Sequence, residues 1–383
     1  MRILIIRNAS DVMQYSSGNY NLQEIGLARA LNKRGYHCDV AYAGGKEEST
    51  VKIVLKDGKA FSLFYLKSID ILGNGYLLKL DRLIKNYDII QSGAYDQLRS
   101  WIMAKKYKSK IVIYQGPYFS QFNKRYNFKC RIVDFLFVPR YRQLNTSFLT
   151  KSVLAKQFLN SKHLNNVTAV GVGFDKEQME ADIVEKSQFY QVLAEEKEKG
   201  NSLLLYIGKL EERRNIEFLL SVVGECCKNN ERVKLVIIGS GTEQYLAKCK
   251  SVIDKYKMSE RIIYKNKLEQ KYLPQIYKLC DAFLLPTKFE IFGMVILEAM
   301  YYGLPIITTF NGGSSILIDN GVDGFIQDEN VELWKKKIEW ILQNPKQAKE
   351  IGKRASIKIA EHFTWDAIAE KFIEVYKRKM YEH

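Results

Sequence analysis

The chain has 383 residues, 46% of them hydrophobic, and 59 lysines and arginines against 43 acids give it a formal net charge of +16. This length can bury two ordinary cores, so we expect two domains. No apolar run approaches the roughly 18 residues of a membrane-spanning helix, and Met1–Ile6 leads directly into a strand, which predicts a cytoplasmic protein without a signal peptide. The six cysteines lack C-x-x-C or zinc-like spacing, so we expect reduced thiols, no disulfide and no metal site.

The positive charge favours an acidic partner, whether nucleic acid, anionic lipid or a phosphorylated substrate. Between Arg99 and Arg142 there are eleven lysines and arginines and a single acid, Asp134, interleaved with aromatic residues. This pattern suits an anionic bilayer or a lipid pyrophosphate, and the alternative is a basic solvated face beside a buried apolar segment. Without a recognised binding motif, we expect no nucleic acid. Four cations are assigned to acceptor or membrane contact: Lys124, Arg125, Lys129 and Arg131.

The first half of the chain alternates short apolar runs with helical stretches. This rhythm predicts βαβ units and a Rossmann-like domain. The predicted strands are 3–6, 38–41, 89–91 and 111–114, and the main predicted helices are 22–33 and 95–105.

The rhythm restarts after a charged, helical stretch, 174–200, in which we place the linker between the domains. A second Rossmann-like unit is the simplest account of the C-terminal half. Its predicted strands are 203–208, 233–239, 262–264, 282–286, 306–309 and 324–326.

The segment Lys288–Met300 carries two carboxylates around a strand-to-helix turn. Glu290 falls in the loop at the carboxyl end of a strand, where open α/β sheets bind ligands. The amides from Phe292 to Val295 form an anion site at the start of the helix, and Gly293 allows close approach. Glu298 lies about 7 Å further along the helix, so the two acids would hold two ends of one long ligand. The alternative is two exposed glutamates flanking a core helix.

The order of strand, Pro286, Glu290, Phe-Gly, Glu298-Ala-Met and Gly303-Leu-Pro305 resembles the retaining glycosyltransferases of family 4. Those enzymes have the α/β GT-B fold, with two Rossmann-like domains facing a central cleft. The resemblance implies that Glu290 contacts the transferred sugar and that Glu298 holds the ribose. It also assigns the donor diphosphate to the amides of Phe292, Gly293, Met294 and Val295.

The run Tyr206–Leu210, followed by Arg213 and Arg214, is similar to the strand-Gly-basic-Leu turn of that family. The resemblance implies that Gly208 lies at the donor and that Lys209 and Arg214 neutralise the leaving diphosphate. Gly239-Ser-Gly241 is a glycine loop of the same kind, although a G-x-G alone could be turn chemistry. Gly18, in the opening loop, would approach the donor from the first domain.

The resemblance has departures. Gln115 stands where many members carry a histidine, and an amide can bind an acceptor but cannot take its proton. Asn215 replaces the glycine that commonly follows the second cation. The segment 363–379 resembles the closing helix that crosses back to the first domain, with an apolar face of Trp365, Ile368, Phe372 and Tyr376. This predicts an acceptor-binding domain of 1–185 plus 363–383 and a nucleotide-sugar domain of 186–362.

Together these features predict a metal-independent retaining hexosyltransferase that needs no cofactor. Its donor would be a nucleotide-diphosphate sugar, and its acceptor a lipid-linked saccharide in surface polysaccharide synthesis. The basic segment would hold it on the inner face of the cell membrane. The alternatives are a sugar-nucleotide epimerase or phosphorylase of the same fold, and a non-catalytic sugar-nucleotide or nucleic-acid binding protein.

Overall fold

The computed structural model describes residues 1–9, 15, 22–71, 74–177 and 185–381. The chain divides into two compact units. Unit 1 comprises Met1–Asp175 and Phe363–His383, and unit 2 comprises Lys176–His362. This division falls earlier in the chain than the predicted boundary after residue 185, and it places the C-terminal segment with unit 1.

Unit 1 is built on a mostly parallel sheet. Its described strands are β1 (Arg2–Ile6), β2 (His37–Ala43), β3 (Ser49–Val54), β4 (Ala60–Leu66), β5 (Ser68–Ile71), β6 (Asn74–Leu77), β7 (Ile89–Ser92), β8 (Ile111–Gln115), β9 (Ser147–Thr150) and β10 (Val167–Ala169). The sheet order is β10-β9-β8-β7-β1-β2-β4-β3, and β5 and β6 form a separate hairpin. β1 is central because its apolar side chains are buried on both faces, as in parallel sheets covered by helices. β3 pairs antiparallel with β4 at the edge.

Helices cover this sheet. They are α1 (Gln23–Lys33), α2 (Leu80–Ile84), α3 (Leu98–Lys106), α4 (Lys124–Leu136), α5 (Val138–Gln143) and α6 (Val153–Asn160). The C-terminal helix Trp365–Tyr381 also packs in unit 1, and its predicted apolar face is buried. On that face the Tyr376 hydroxyl donates a 2.6 Å hydrogen bond to Gln91 Oε1 of β7. The predicted return of this helix to the first unit is therefore confirmed.

Unit 2 has a parallel sheet of order β13-β12-β11-β14-β15-β16 in the part of the chain that is described. The strands are β11 (Ser202–Ile207), β12 (Val233–Ile238), β13 (Ile262–Lys265), β14 (Ala282–Leu285), β15 (Ile306–Thr308) and β16 (Phe325–Ile326). The helices of unit 2 are α7 (Gln188–Glu198), α8 (Ile216–Asn229), α9 (Glu243–Lys255), α10 (Leu273–Leu279), α11 (Met294–Tyr301), α12 (Ser314–Leu317), α13 (Val331–Gln343) and α14 (Pro345–His362). The C-terminal helix Trp365–Tyr381 of unit 1 is α15. Because β12, β11, β14 and β15 are neighbours, the loops after these strands meet at one edge of the sheet.

Candidate donor site in unit 2

Glu290 and Arg214 form an ion pair between the loops after β14 and β11. Glu290 is only 9% exposed, and its Oε2 pairs with Arg214 Nη1, with Arg213 Nη1 3.8 Å away. Its other oxygen accepts a 3.0 Å hydrogen bond from the Ile291 amide. The structure therefore brings together two of the three residues that the sequence assigns to catalysis.

Hydrogen bonds from side chains to backbone carbonyls join the loop after β11 to the loop after β14. The Thr287 hydroxyl is fully buried and shares its single hydrogen between the carbonyl oxygens of Arg213 and Phe289, at 3.1 and 2.9 Å. Arg213 Nη1 donates to the Phe289 carbonyl at 3.1 Å, and Arg213 Nη2 lies 2.7 Å from Glu211. Arg213 thus joins the two loops, and Arg214 is the cation that lies closer to Glu290. The sequence analysis did not single out Thr287.

Asn215 explains one of the departures from the family pattern. Its φ is +57°, in the left-handed region that glycine adopts freely and asparagine tolerates better than most residues. Its side chain also donates a 3.0 Å hydrogen bond to Glu329 Oε2. The replacement of glycine by asparagine therefore preserves the turn that positions Arg214.

Glu298 is buried inside unit 2, on the fifth residue of α11, with 1% exposure. Its Oε2 accepts a 2.9 Å hydrogen bond from the Tyr277 hydroxyl, and its Oε1 has no hydrogen-bond partner in the described part of the chain. Burial raises the pKa of Glu298 to about 8. A hydroxyl group of a ligand can hydrogen-bond to a buried oxygen that has no partner in the protein. Tyr277, on α10, is thus a hydrogen-bond partner of this predicted site residue, and the sequence did not indicate it.

Two glycine loops pack against each other beside β11. Gly239 has φ +152°, and a Cβ there would lie 1.8 Å from the Gly208 carbonyl oxygen. The Gly208 amide donates 3.0 Å to the Ile238 carbonyl. The two predicted donor glycines are therefore adjacent because only glycine permits this approach.

Lys209 lies at the exposed turn after Gly208. Its carbonyl accepts a 2.8 Å hydrogen bond from the Tyr206 hydroxyl, whereas its ammonium makes no ion pair with any described residue. The structure thus does not place Lys209 in the Glu290–Arg214 pair. Its assignment to the diphosphate stays a prediction.

The start of α11 is shaped by glycines on two loops. Gly293 precedes the helix with φ +78°, and the Phe292 ring is buried at 3% exposure. The loop after β15 packs on this turn, because a Cβ on Gly313 would lie 1.7 Å from the Phe292 carbonyl oxygen. Gly312 also donates a 3.0 Å hydrogen bond to the Glu290 carbonyl. The turn therefore places the backbone of Met294 and Val295 in the first turn of α11, where the sequence predicts the anion site.

Gln115 does not occupy the acceptor-facing position that the sequence predicts. Its side chain is fully buried, and its Oε1 accepts a 3.0 Å hydrogen bond from the Tyr95 amide. Its amide nitrogen donates to the Pro117 carbonyl and to the Tyr126 hydroxyl. These bonds use both of its donor hydrogens, so Gln115 fixes the loop after β8. Gly18 lies outside the described residues.

The predicted basic cluster lies on α4, but its four cations are not equivalent. Lys129 forms a 2.7 Å ion pair with Asp96, a carboxylate that is 7% exposed. Lys124, Arg125 and Arg131 are exposed. Lys129 therefore has a structural partner, which the sequence pattern did not indicate.

Among the residues that the structure describes, no group of three or more histidine, cysteine, aspartate or glutamate side chains is placed to hold a metal ion. In the same ranges, no helix combines the length and the apolar character needed to cross a bilayer.

Solved structures resemble this chain over its whole length. Sucrose-phosphate synthase from Thermosynechococcus elongatus superposes with a TM-score of 0.74 at 15% identity and covers 100% of both chains. Anabaena HepE in complex with UDP-glucose gives 0.72 at 14% identity, over 99% of this chain and 100% of that one. The chain has the GT-B fold. The predicted fold class is confirmed.

Sequence similarity of this GT-B chain is concentrated in unit 2. Residues 191–358 match the family model of the glycosyl transferases group 1. Sucrose synthase of Acidithiobacillus caldus is 26% identical over 198 residues, which are 46% of this chain and 25% of that protein. Spore coat protein SA of Bacillus subtilis is 26% identical over 186 residues, 47% of this chain and 49% of that protein. The matches thus span between a quarter and a half of these curated relatives.

Proposed function

We propose that the protein is a retaining glycosyltransferase that moves a hexosyl unit from a nucleotide-diphosphate sugar to a lipid-linked saccharide. The observation that carries this proposal is the Glu290–Arg214 pair, next to the N-terminus of α11 and on the same helix-turn segment as Glu298. The group 1 family match supports a glycosyl donor. The UDP-glucose complex of the structurally similar HepE supports a nucleotide sugar.

The geometry divides the donor into three parts. Arg214 and the helix N-terminus would take the diphosphate, because a cation and aligned amides stabilise the charge of a leaving group. Glu298 would hydrogen-bond to a hydroxyl of the ribose through its unpartnered Oε1. Glu290 would contact the transferred sugar once the diphosphate competes for Arg214. Lys209 can supply a second cation, so this arrangement of charges would work without a metal ion.

The transfer then proceeds on one face of the sugar. The bond between the anomeric carbon and the diphosphate oxygen breaks, and the acceptor oxygen bonds to the same face of that carbon. The departing phosphate oxygen receives the proton of the acceptor hydroxyl. This route needs no histidine at the position of Gln115.

A lipid-linked acceptor is supported by the outer face of α4. At about 100° per residue, Phe128, Ile132 and Phe135 fall on one side of this helix. Phe128 is 65% and Phe135 is 81% exposed. Lys124 and Arg131 flank this stripe on one side, and Arg125 flanks it on the other. Apolar side chains rimmed by cations suit an anionic membrane surface in a peripheral protein, where a lipid-linked acceptor is found.

The proposal is tested by incubating the full chain with labelled nucleotide-diphosphate sugars, with and without a lipid extract. We expect label to enter the lipid fraction only with the extract, and Glu290→Gln to abolish this transfer while its circular dichroism spectrum shows that the variant still folds. Conversion of the donor without any acceptor would indicate an epimerase instead. Donor binding without conversion under either condition would indicate a non-catalytic binding protein.

A further inference from the structure

Unit 1 contains a cavity of about 500 Å³ at the carboxyl ends of β1, β7, β8 and β9. This volume is within the roughly 300–1,000 Å³ typical of small-molecule sites. Its lining includes hydrogen-bond donors, hydrogen-bond acceptors and an aromatic ring. These residues are Arg7, Asn8, Gln23, Glu24, Lys151 and Tyr114. All of its lining residues belong to unit 1.

Asn8 offers the cavity a buried acceptor. Its side chain is 1% exposed, and its Nδ2 donates to Ser92 Oγ at 2.8 Å and to Gln97 Oε1 at 3.1 Å. Its Oδ1 finds no hydrogen-bond donor among the residues that the structure describes. A buried carbonyl oxygen of this kind is costly unless a ligand or water satisfies it. A ligand hydroxyl would do so.

Lys151 offers the cavity a cation. Its Nζ donates a 2.7 Å hydrogen bond to the neutral Gln23 Oε1 and lies 5.3 Å from the centre of the Tyr114 ring. Within the described ranges it forms no ion pair. Burial lowers the pKa of Lys151, Glu24 opposes this shift, and Arg7 adds to it. Because a partly buried ammonium without a counter-ion is costly, an oxyanion from a ligand would stabilise it.

We propose that this cavity binds a saccharide carrying a carboxylate or phosphate, with its oxyanion at Lys151 and a hydroxyl at Asn8. Glu24 and Gln23 can accept further hydroxyl hydrogens, and the Tyr114 ring can contact the apolar face of a sugar. A purely apolar ligand would leave Asn8 Oδ1 without a hydrogen-bond donor and the Lys151 ammonium without a counter-ion. That the cavity binds a charged saccharide is argued from the cavity itself. That this saccharide is the acceptor rests on the proposed function.

Calorimetric titration of the full chain tests this proposal. The probes are glucuronic acid, glucose 6-phosphate, glucose and inorganic phosphate, so that the carboxylate and phosphate sources are separated. We expect at least one of the two charged sugars to bind at least tenfold more tightly than glucose or inorganic phosphate. Lys151→Gln should remove this advantage, whereas Lys108→Gln, which removes an exposed cation of unit 1, should preserve it.

Three results would overturn the proposal. Glucose could bind as tightly as both charged sugars, or inorganic phosphate could bind as tightly as both charged sugars. The third is a Lys151→Gln variant that still prefers a charged sugar to glucose. The comparison of probes on the unsubstituted protein stands even if Lys151→Gln fails to fold. Nucleoside diphosphate binding is measured in parallel. If no nucleoside diphosphate binds, the result counts against the proposed function, whereas binding of a charged sugar would still support a saccharide site in the cavity.

Discussion

Arg214 and Glu290 neutralise each other across two loops of unit 2, although one is assigned to the donor diphosphate and the other to the donor sugar. A diphosphate that reaches Arg214 must therefore compete with a carboxylate that is already in place. The ion pair keeps both side chains ordered at the site before the donor arrives. Because Glu290 competes for Arg214, the ion pair also weakens the interaction of Arg214 with the diphosphate leaving group.

Glu290→Gln should uncouple binding from transfer. The amide keeps the shape of the side chain but no longer pairs with Arg214, so we expect a nucleoside diphosphate to bind about tenfold more tightly, or about 1.4 kcal/mol. Transfer should fall to background because the contact with the sugar is lost. Calorimetry and a labelled-donor assay measure the two effects. Weaker diphosphate binding in this variant would contradict competition between the carboxylate and the diphosphate.

Lys209 and Arg214 should contribute separately to donor affinity. Each charged hydrogen bond to phosphate is worth about 1.5–3 kcal/mol, so the double alanine variant should lose several kcal/mol of binding free energy. Lys250→Ala, an exposed cation on α9, is the matched control and should bind the donor normally. If Lys209→Ala alone has no effect, the exposed ammonium lies away from the diphosphate and its assignment is wrong.

Glu298 should make folding stability depend on pH. Its pKa is about 8 in the folded protein and near 4.5 when unfolded, so the folded state holds one more proton between these values. This contribution is fully present below pH 4.5, declines as pH rises, and is lost above pH 8, with a slope of up to about 1.4 kcal/mol per pH unit. Chemical denaturation at pH 5, 6.5 and 8 should show the slope, and Glu298→Gln should flatten it. Parallel profiles for the two proteins would argue against a protonated Glu298.

The outer face of α4 should bind anionic vesicles. Replacing Lys124, Arg125 and Arg131 by glutamine should reduce binding to vesicles rich in anionic lipid, since each cation near such a surface contributes about 1 kcal/mol. Lys129 is kept because its loss would leave Asp96 buried without its partner. Phe128→Ser with Phe135→Ser should reduce binding at high salt as well.

Three exposed lysines of α14 provide the control for this experiment: Lys346, Lys349 and Lys353. Their replacement by glutamine changes the net charge equally and should leave vesicle sedimentation unaltered. Equal losses in both triple variants would mean that overall charge, and not this helix face, drives the association.

The sequence predicted the strands of unit 2 well because parallel strands buried on both faces are continuous apolar runs. The predicted run 203–208 is β11 at Ser202–Ile207, and 282–286 is β14 at Ala282–Leu285. The strands β3 and β4 were not predicted. β3 is exposed at the sheet edge, and β4 alternates between buried and half-buried residues, so neither has that signature.

The sequence alone did not predict contacts between side chains that are far apart along the chain. Nothing near Tyr277 indicates that its hydroxyl reaches Glu298, because that contact depends on how α10 packs beside α11. Gln115 was expected to face an acceptor, yet its amide bonds to the backbone of Tyr95 and Pro117. The position of a polar residue after a strand predicts a site, but only the packing around it decides whether the side chain is available.

The most direct test of the central claim is a calorimetric screen of free nucleoside diphosphates against the full chain in the presence of EDTA. We predict that at least one binds without a divalent metal and that Arg214→Ala weakens this binding at least tenfold. If no nucleoside diphosphate binds, or if binding is unaffected by Arg214→Ala, the donor site assigned to unit 2 is contradicted.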